Sequence, residues 1–89
     1  MAWNQSGSER RWGLRQPAHG EVWLRAQGLQ VDGRLLDRSG LGFRMAYASG
    51  ELAIGQEVEY LIGEQQGRAR VVWNHFTRRH WECGLLMVV

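Results

Sequence analysis

Lysine is missing from this 89-residue chain, and cysteine and proline each occur once. A single thiol cannot form an intramolecular disulfide, which fits a reducing cytosol better than a secreted, disulfide-stapled fold. No apolar run approaches the roughly 20 residues that span a bilayer as a helix. Residues 1–9 lack the apolar stretch of a secretion signal. We therefore expect a cytoplasmic protein without a membrane partner.

The basic residues are all arginines, and there are 11 of them against 9 acidic residues. The resulting net charge of +2 excludes a general polyanion binder. Arginine is suited to bidentate binding of individual phosphates, although it also serves as an ordinary surface residue. A chain of this length is expected to form one domain with one modest core.

Six segments alternate between apolar and polar residues, as half-buried strands do. They are residues 21–26, 29–36, 41–45, 56–62, 67–76 and 80–88. This spacing predicts an all-β fold, a closed or nearly closed six-stranded antiparallel barrel over 20–89, preceded by a flexible tail at 1–9 and an arginine loop at 10–17. The alternation assigns these side chains to the core: Val22, Leu24, Ala26, Leu29, Val31, Leu35, Leu41, Phe43, Met45, Val58, Tyr60, Ile62, Ala69, Val71, Trp73, Trp81, Cys83, Leu85 and Met87.

Segment 37–42, between the second and third predicted strands, combines a carboxylate, a hydroxyl and two glycines. The carboxylate of Asp37 can accept two parallel hydrogen bonds from a planar edge such as that of guanine, and Ser39 can bind beside it. Gly40 and Gly42 let the backbone turn and let a flat ligand approach. The alternative is a tight turn in which Asp37 and Ser39 bond their own backbone.

Three arginines precede the first predicted strand: Arg10, Arg11 and Arg15. Guanidinium groups bind phosphate bidentately and stack on bases. Gly13 and Pro17 disfavour a stable helix here, so we expect a mobile loop that closes over its ligand. The alternative is a set of solvated surface arginines. Together with the carboxylate of segment 37–42, this loop indicates a guanine nucleotide with accessible phosphates.

Arg11 and Arg15 form an RxxxR motif, and Asp37, Ser39 and Gly42 form a [D/N]xSxxG motif. Both motifs, in this order and before this strand pattern, make the chain similar to the PilZ domain family of bacterial cyclic di-GMP receptors. The resemblance covers about residues 10–87. It implies a six-stranded barrel. The chain also departs from the family pattern. Many members continue into a C-terminal helix, which we expect to be absent or minimal here.

The resemblance implies a role for each motif residue. The RxxxR arginines would grip phosphate and stack on guanine, Asp37 and Ser39 would hold a guanine edge, and Gly42 would leave room for the ligand. An arginine directly before RxxxR, here Arg10, accompanies an intercalated cyclic di-GMP dimer in this family. A bound monomer with Arg10 as a bystander stays the alternative.

Several residues outside the two motifs are further candidates for the site or for the core. Some relatives place an aromatic side chain of the fifth strand against guanine, so Trp73 is a candidate ligand residue as well as a core residue. Arg38 and Arg44 would border the site. His19, His75 and His80 are scattered, and no metal-ligand spacing or nucleophile–base arrangement is visible, so we expect neither a metal nor catalysis. Cys83 is expected to be an inert core thiol.

The resulting expectation is a second-messenger receptor that regulates an unidentified protein partner in trans. The resemblance points to motility or biofilm formation. One alternative is a PilZ-like protein–protein adaptor that binds no nucleotide. A less favoured alternative is a small barrel that binds single-stranded nucleic acid, because 5 tryptophans and 11 arginines would suit base stacking and phosphate contacts.

Overall fold

A computed structural model describes residues 16–89, which form an all-β structure. Its strands are β1 (Gln16–Pro17), β2 (Glu21–Ala26), β3 (Leu29–Arg38), β4 (Gly42–Tyr47), β5 (Glu57–Ile62), β6 (Gln65–Phe76) and β7 (Trp81–Val88). Six of them pair in the order β3-β2-β5-β6-β7-β4, and β4 pairs back onto β3. The closed six-stranded antiparallel barrel is therefore confirmed. Within the described residues, no helix is long and apolar enough to cross a membrane.

The strand bounds differ from the predicted ones mainly around the turns. β3 continues to Arg38, so Asp37 lies inside a strand rather than in a loop. β4 is shifted toward Tyr47, and β6 begins at Gln65. The β5–β6 connection therefore shrinks to two residues. Gly63 occupies the first central position of this turn and has a φ of 60°. A positive φ at that position is what a type II′ hairpin turn requires.

The core fills the barrel with side chains from all six strands. It comprises Val22, Leu24, Val31, Leu35, Phe43, Met45, Tyr47, Leu52, Val58, Tyr60, Ile62, Ala69, Val71, Cys83 and Leu85. Ala26, Leu29, Trp81 and Met87 pack against this cluster as predicted. The prediction for Leu41 was wrong, because this residue precedes β4 and is 49% exposed. Its carbonyl oxygen accepts a hydrogen bond of 2.8 Å from the backbone N–H of Met87.

A partly buried polar cluster fixes the long connection between β4 and β5. The hydroxyl of Tyr47 donates to Oδ1 of Asn74 at 2.7 Å, and Nδ2 of Asn74 donates to the carbonyl oxygen of Leu52 at 3.0 Å. Burial raises the pKa of Tyr47, so its hydroxyl keeps the proton that it donates. These bonds hold Leu52, which lies in the connection as the sequence pattern predicts, in the core.

The thiol of Cys83 is expected to be unreactive in the native protein. It is fully buried, and burial raises its pKa to about 12. At about pH 8, a thiol reagent such as DTNB should label the native protein far more slowly than the urea-unfolded protein, because the thiolate is the reactive form. Stability should fall as the pH rises from the unfolded thiol pKa of about 8.5 toward 12, since only the unfolded chain then loses the proton. Rapid labelling of the native protein would contradict this assignment.

Candidate functional site

A β-bulge in β3 turns Asp37 to the outer face of the barrel. Leu35 pairs with Met45, but the next pair is Asp37 with Arg44, so Leu36 is an extra residue. Leu35 is in the core, whereas Asp37 lies on the same outer face as Arg44. Bulges commonly re-aim a side chain in this way.

Asp37 and Arg44 form a close ion pair on this face. Nε and Nη2 of Arg44 lie 2.9 and 2.7 Å from Oδ2 of Asp37. The side chain of Asp37 is only 7% exposed, whereas that of Arg44 is 37% exposed. A carboxylate this deeply buried requires a charged or hydrogen-bonding partner. Nη1 of Arg44 also lies 4.0 Å from Oε1 of Glu82 on β7, so one guanidinium bridges two carboxylates.

Ser39 shapes the turn between β3 and β4. Its Oγ accepts hydrogen bonds from the backbone N–H groups of Leu41 at 3.0 Å and Gly42 at 3.2 Å. Its own N–H donates to the carbonyl oxygen of Gly42 at 2.9 Å. The turn-forming alternative considered for Ser39 is therefore what the structure shows, and the hydroxyl hydrogen is left to act as a donor. Gly40 is exposed in the same turn.

Gly42 is buried where β4 meets β7. A Cβ atom at this position would overlap the backbone carbonyl oxygen of Leu85 and crowd Leu86. This close approach of two strands accounts for a glycine here. It is a packing requirement that holds with or without a ligand.

Arg38 points away from Arg44 and toward the end of the barrel. Its Nη2 donates to Oε1 of Gln65. Nε2 of Gln65 in turn donates to the hydroxyl of Tyr60 at 3.3 Å. Of the two arginines expected to border the site, Arg44 contacts Asp37, whereas Arg38 binds Gln65.

Trp73 lies on the outer face, so its assignment to the core was wrong. A second bulge shifts the β6–β7 register between Val71, which pairs with Leu85, and Trp73, which pairs with Gly84. The extra residue reverses the alternation from Trp73 onward. The indole lies directly over Gly84 and stacks on the ring of His75, with centroids 5.1 Å apart and planes inclined by 24°.

The two bulges align four residues in one row across the outer face. Asp37 pairs with Arg44, Arg44 with Gly84, and Gly84 with Trp73. Adjacent strands are about 4.8 Å apart, so the row spans roughly 14 Å from Asp37 to Trp73. It carries an ion pair at one end and stacked rings at the other, with Gly84 between them. This surface also contains three residues that belong to neither motif: Arg44, His75 and Glu82.

The strand β1 joins the N-terminal part of the chain to this site. Pro17 pairs with Asp37, and Gln16 pairs with Arg38. Arg10, Arg11 and Arg15, together with the predicted tail and most of the predicted arginine loop, lie outside the described residues. Their roles therefore stay predictions.

The chain matches no protein-family model and has no significant match among curated proteins. Its functional assignment therefore rests on the two motifs and on the geometry of the outer face.

Proposed function

We propose that this protein is a PilZ-type receptor that binds cyclic di-GMP. The observation that carries the proposal is the pairing of β1 with the end of β3. It brings the chain that follows RxxxR directly beside the Asp37 of DxSxxG, although the motifs are about 20 residues apart in sequence. The closed antiparallel barrel beneath them supports the same proposal.

A guanine edge would bind at the Asp37 end of the row. Guanine presents N1–H and 2-amino donors, and an ionised carboxylate accepts such a pair in parallel. Arg44 holds that carboxylate in a fixed orientation from the side. The partly exposed guanidinium plane of Arg44 also offers a surface on which a base can stack. Ser39 lies in the adjoining turn, where its Oγ accepts from the N–H of Gly42. Its hydroxyl hydrogen can therefore donate to the ligand.

The phosphates would be bound by the arginine segment. Arg15 is bonded directly to Gln16, the first residue of β1, and Arg11 lies five residues before Gln16. A fully extended chain of five residues spans at most roughly 18 Å. A bound monomer brings two phosphate charges, and an intercalated dimer brings four. Arg10 would supply the third guanidinium that the dimer needs.

The second base has a stacking surface at the other end of the row. The rings of Trp73 and His75 are already nearly parallel, and Trp73 covers Gly84 without an intervening side chain. Closure of the arginine segment over the nucleotide would alter the outer face of the barrel. The receptor would deliver that change in trans to a cytoplasmic protein partner, in keeping with a role in motility or biofilm formation.

Base selectivity tests the proposed function. Cyclic di-GMP should bind at least about tenfold more tightly than cyclic di-AMP, because adenine presents only one donor and directs a lone pair at the carboxylate of Asp37. Isothermal titration of both dinucleotides into the same protein measures the ratio. Equal affinities would contradict guanine recognition by Asp37, even if both ligands bind.

A second candidate function is a PilZ-like adaptor that binds no nucleotide. It is favoured by the local roles of the motif residues, since Ser39 shapes a turn, Gly42 permits close strand packing and Asp37 binds Arg44. Each of these roles would stabilise the barrel without a ligand. A well-folded protein that binds neither dinucleotide would support the adaptor and exclude the receptor.

A further inference from the structure

A concave surface lies on strands β2, β3, β5 and β6, away from the row that contains Asp37. It is open to solvent and encloses about 670 Å³, within the roughly 300–1,000 Å³ of typical small-molecule sites. Trp23, Arg25, Glu59 and Leu61 are among its lining residues, and so are the exposed residues Gln30, Gln66 and Arg68, which we call its rim. We call this surface the Trp23 groove.

One wall of the Trp23 groove is flat and apolar. Trp23 on β2 is the pairing partner of Leu61 on β5, and both side chains point outward because their neighbours Val22 and Ile62 belong to the core. Trp23 is 40% exposed and Leu61 is 39% exposed. An indole with an accessible face beside a leucine is suited to pack against the apolar side of a ring.

The other wall is polar, and its charges are already paired. Nε and Nη2 of Arg25 donate to Oε1 of Glu59 at 3.0 and 2.8 Å. Nη2 of Arg68 donates to Oε1 of Glu57 at 2.9 Å, just outside the groove. The hydrogen bond from Arg25 lowers the pKa of Glu59, which keeps this carboxylate ionised and accepting at neutral pH.

This charge arrangement discriminates between ligand classes. An anion would face Glu59, and the two arginines that line the groove, Arg25 and Arg68, already bind carboxylates. A cation would face two guanidinium groups. A neutral ligand with several hydroxyls fits best, because each hydroxyl can donate to the carboxylate or accept from guanidinium and amide N–H groups. Gln30 and Gln66 add both donors and acceptors at the rim.

We propose that the Trp23 groove binds a neutral sugar ring. The C–H face of the ring packs against Trp23 and Leu61, while its hydroxyls bind Glu59, Arg68 and the rim amides. This site uses none of the residues of the proposed nucleotide site. It therefore gives the protein a second, carbohydrate-binding capacity that is independent of the first.

Titration of the ¹⁵N-labelled full chain with cellobiose, maltose, chitobiose and mannobiose, one at a time, tests the proposal. At least one disaccharide should shift the indole N–H signal of Trp23, which is identified by its loss in Trp23→Ala. In Trp23→Ala, binding of that disaccharide should weaken at least about tenfold, because the apolar wall is lost. Gln66→Ala, an exposed rim substitution, should weaken it to a smaller extent.

Two controls make the outcome decisive. Phe76→Ala removes another exposed aromatic, 56% exposed and outside this groove, and should leave sugar binding unchanged. Cyclic di-GMP affinity should be the same in Trp23→Ala as in the wild type. The proposal is overturned if none of the four disaccharides shifts the Trp23 signal. It is equally overturned if acidic digalacturonate binds in the groove and the neutral sugars do not.

Discussion

Arg11→Ala should weaken cyclic di-GMP binding at least about tenfold, and the double variant Arg11→Ala, Arg15→Ala should weaken it roughly a hundredfold. Hydrogen bonds to charged groups contribute about 1.5–3 kcal/mol each, and 1.4 kcal/mol is a factor of ten in affinity. Isothermal titration at fixed ionic strength measures both changes. The wild type should show saturable binding at micromolar concentration or below.

A matched control separates this effect from a general loss of positive charge. Arg78 is an exposed arginine in the β6–β7 turn, distant in sequence from both motifs. Arg78→Ala lowers the net charge by the same amount and should leave the affinity within about twofold of the wild type. An equal loss in Arg78→Ala would show that binding is non-specific electrostatics, as in the nucleic-acid alternative. Oligonucleotide binding that depends steeply on salt would point the same way.

The stoichiometry of the same titration decides the role of Arg10. Two ligands per chain in the wild type and one in Arg10→Ala would establish an intercalated dimer that requires the third guanidinium. One ligand per chain in both proteins would make Arg10 a bystander. Either result leaves the RxxxR prediction itself intact.

Gly42→Ala should lower the stability of the ligand-free protein by about 1–3 kcal/mol or more, the usual cost of overpacking a tightly packed site. The added methyl group would overlap the backbone carbonyl oxygen of Leu85, and a backbone cannot move aside as a long side chain can. In a domain of this size, each kcal/mol lowers the melting temperature by about 4–8 °C. Urea denaturation and thermal melting without nucleotide measure the effect.

The neighbouring Gly40 provides the control for this substitution. It lies exposed in the same turn, so Gly40→Ala should change stability by no more than about 0.5 kcal/mol. If Gly42→Ala proved as stable as the wild type and lost only nucleotide affinity, the glycine would serve the ligand rather than the strand packing. The structural account of Gly42 would then be wrong.

The barrel could be predicted from sequence because its strands carry their inward residues in strict alternation. Val22 with Leu24 and Val58 with Tyr60 are examples in which local periodicity and final burial agree. This agreement holds where the pairing register is regular. It fails after each bulge, because one extra residue exchanges the inner and outer faces for the rest of the strand.

Trp73 illustrates that failure, since its alternation with Ala69 and Val71 is genuine in sequence but is interrupted by Val72. Arg44 illustrates a different limit. Its contact with Asp37 depends on the bulge at Leu36 and on the length of the Ser39 turn, neither of which single-residue propensities encode. The chemistry of the motif residues and the resemblance both pointed to Asp37 in the sequence, whereas the row that it forms with Arg44, Gly84 and Trp73 required the three-dimensional pairing.

Strand β7 pairs with β4 on one side and β6 on the other, and it follows both of them in the chain. As the chain leaves the ribosome, both partners emerge before β7 does, and until then each presents an unpaired edge that invites association with other chains. Gly84, a residue of the row, lies in β7 and therefore joins the row only when β7 has been synthesised and paired. The outer face can therefore form only after nearly all of the barrel has been synthesised. A nascent chain therefore lacks the row on which the proposed nucleotide site depends, and it could not yet bind the proposed ligand there.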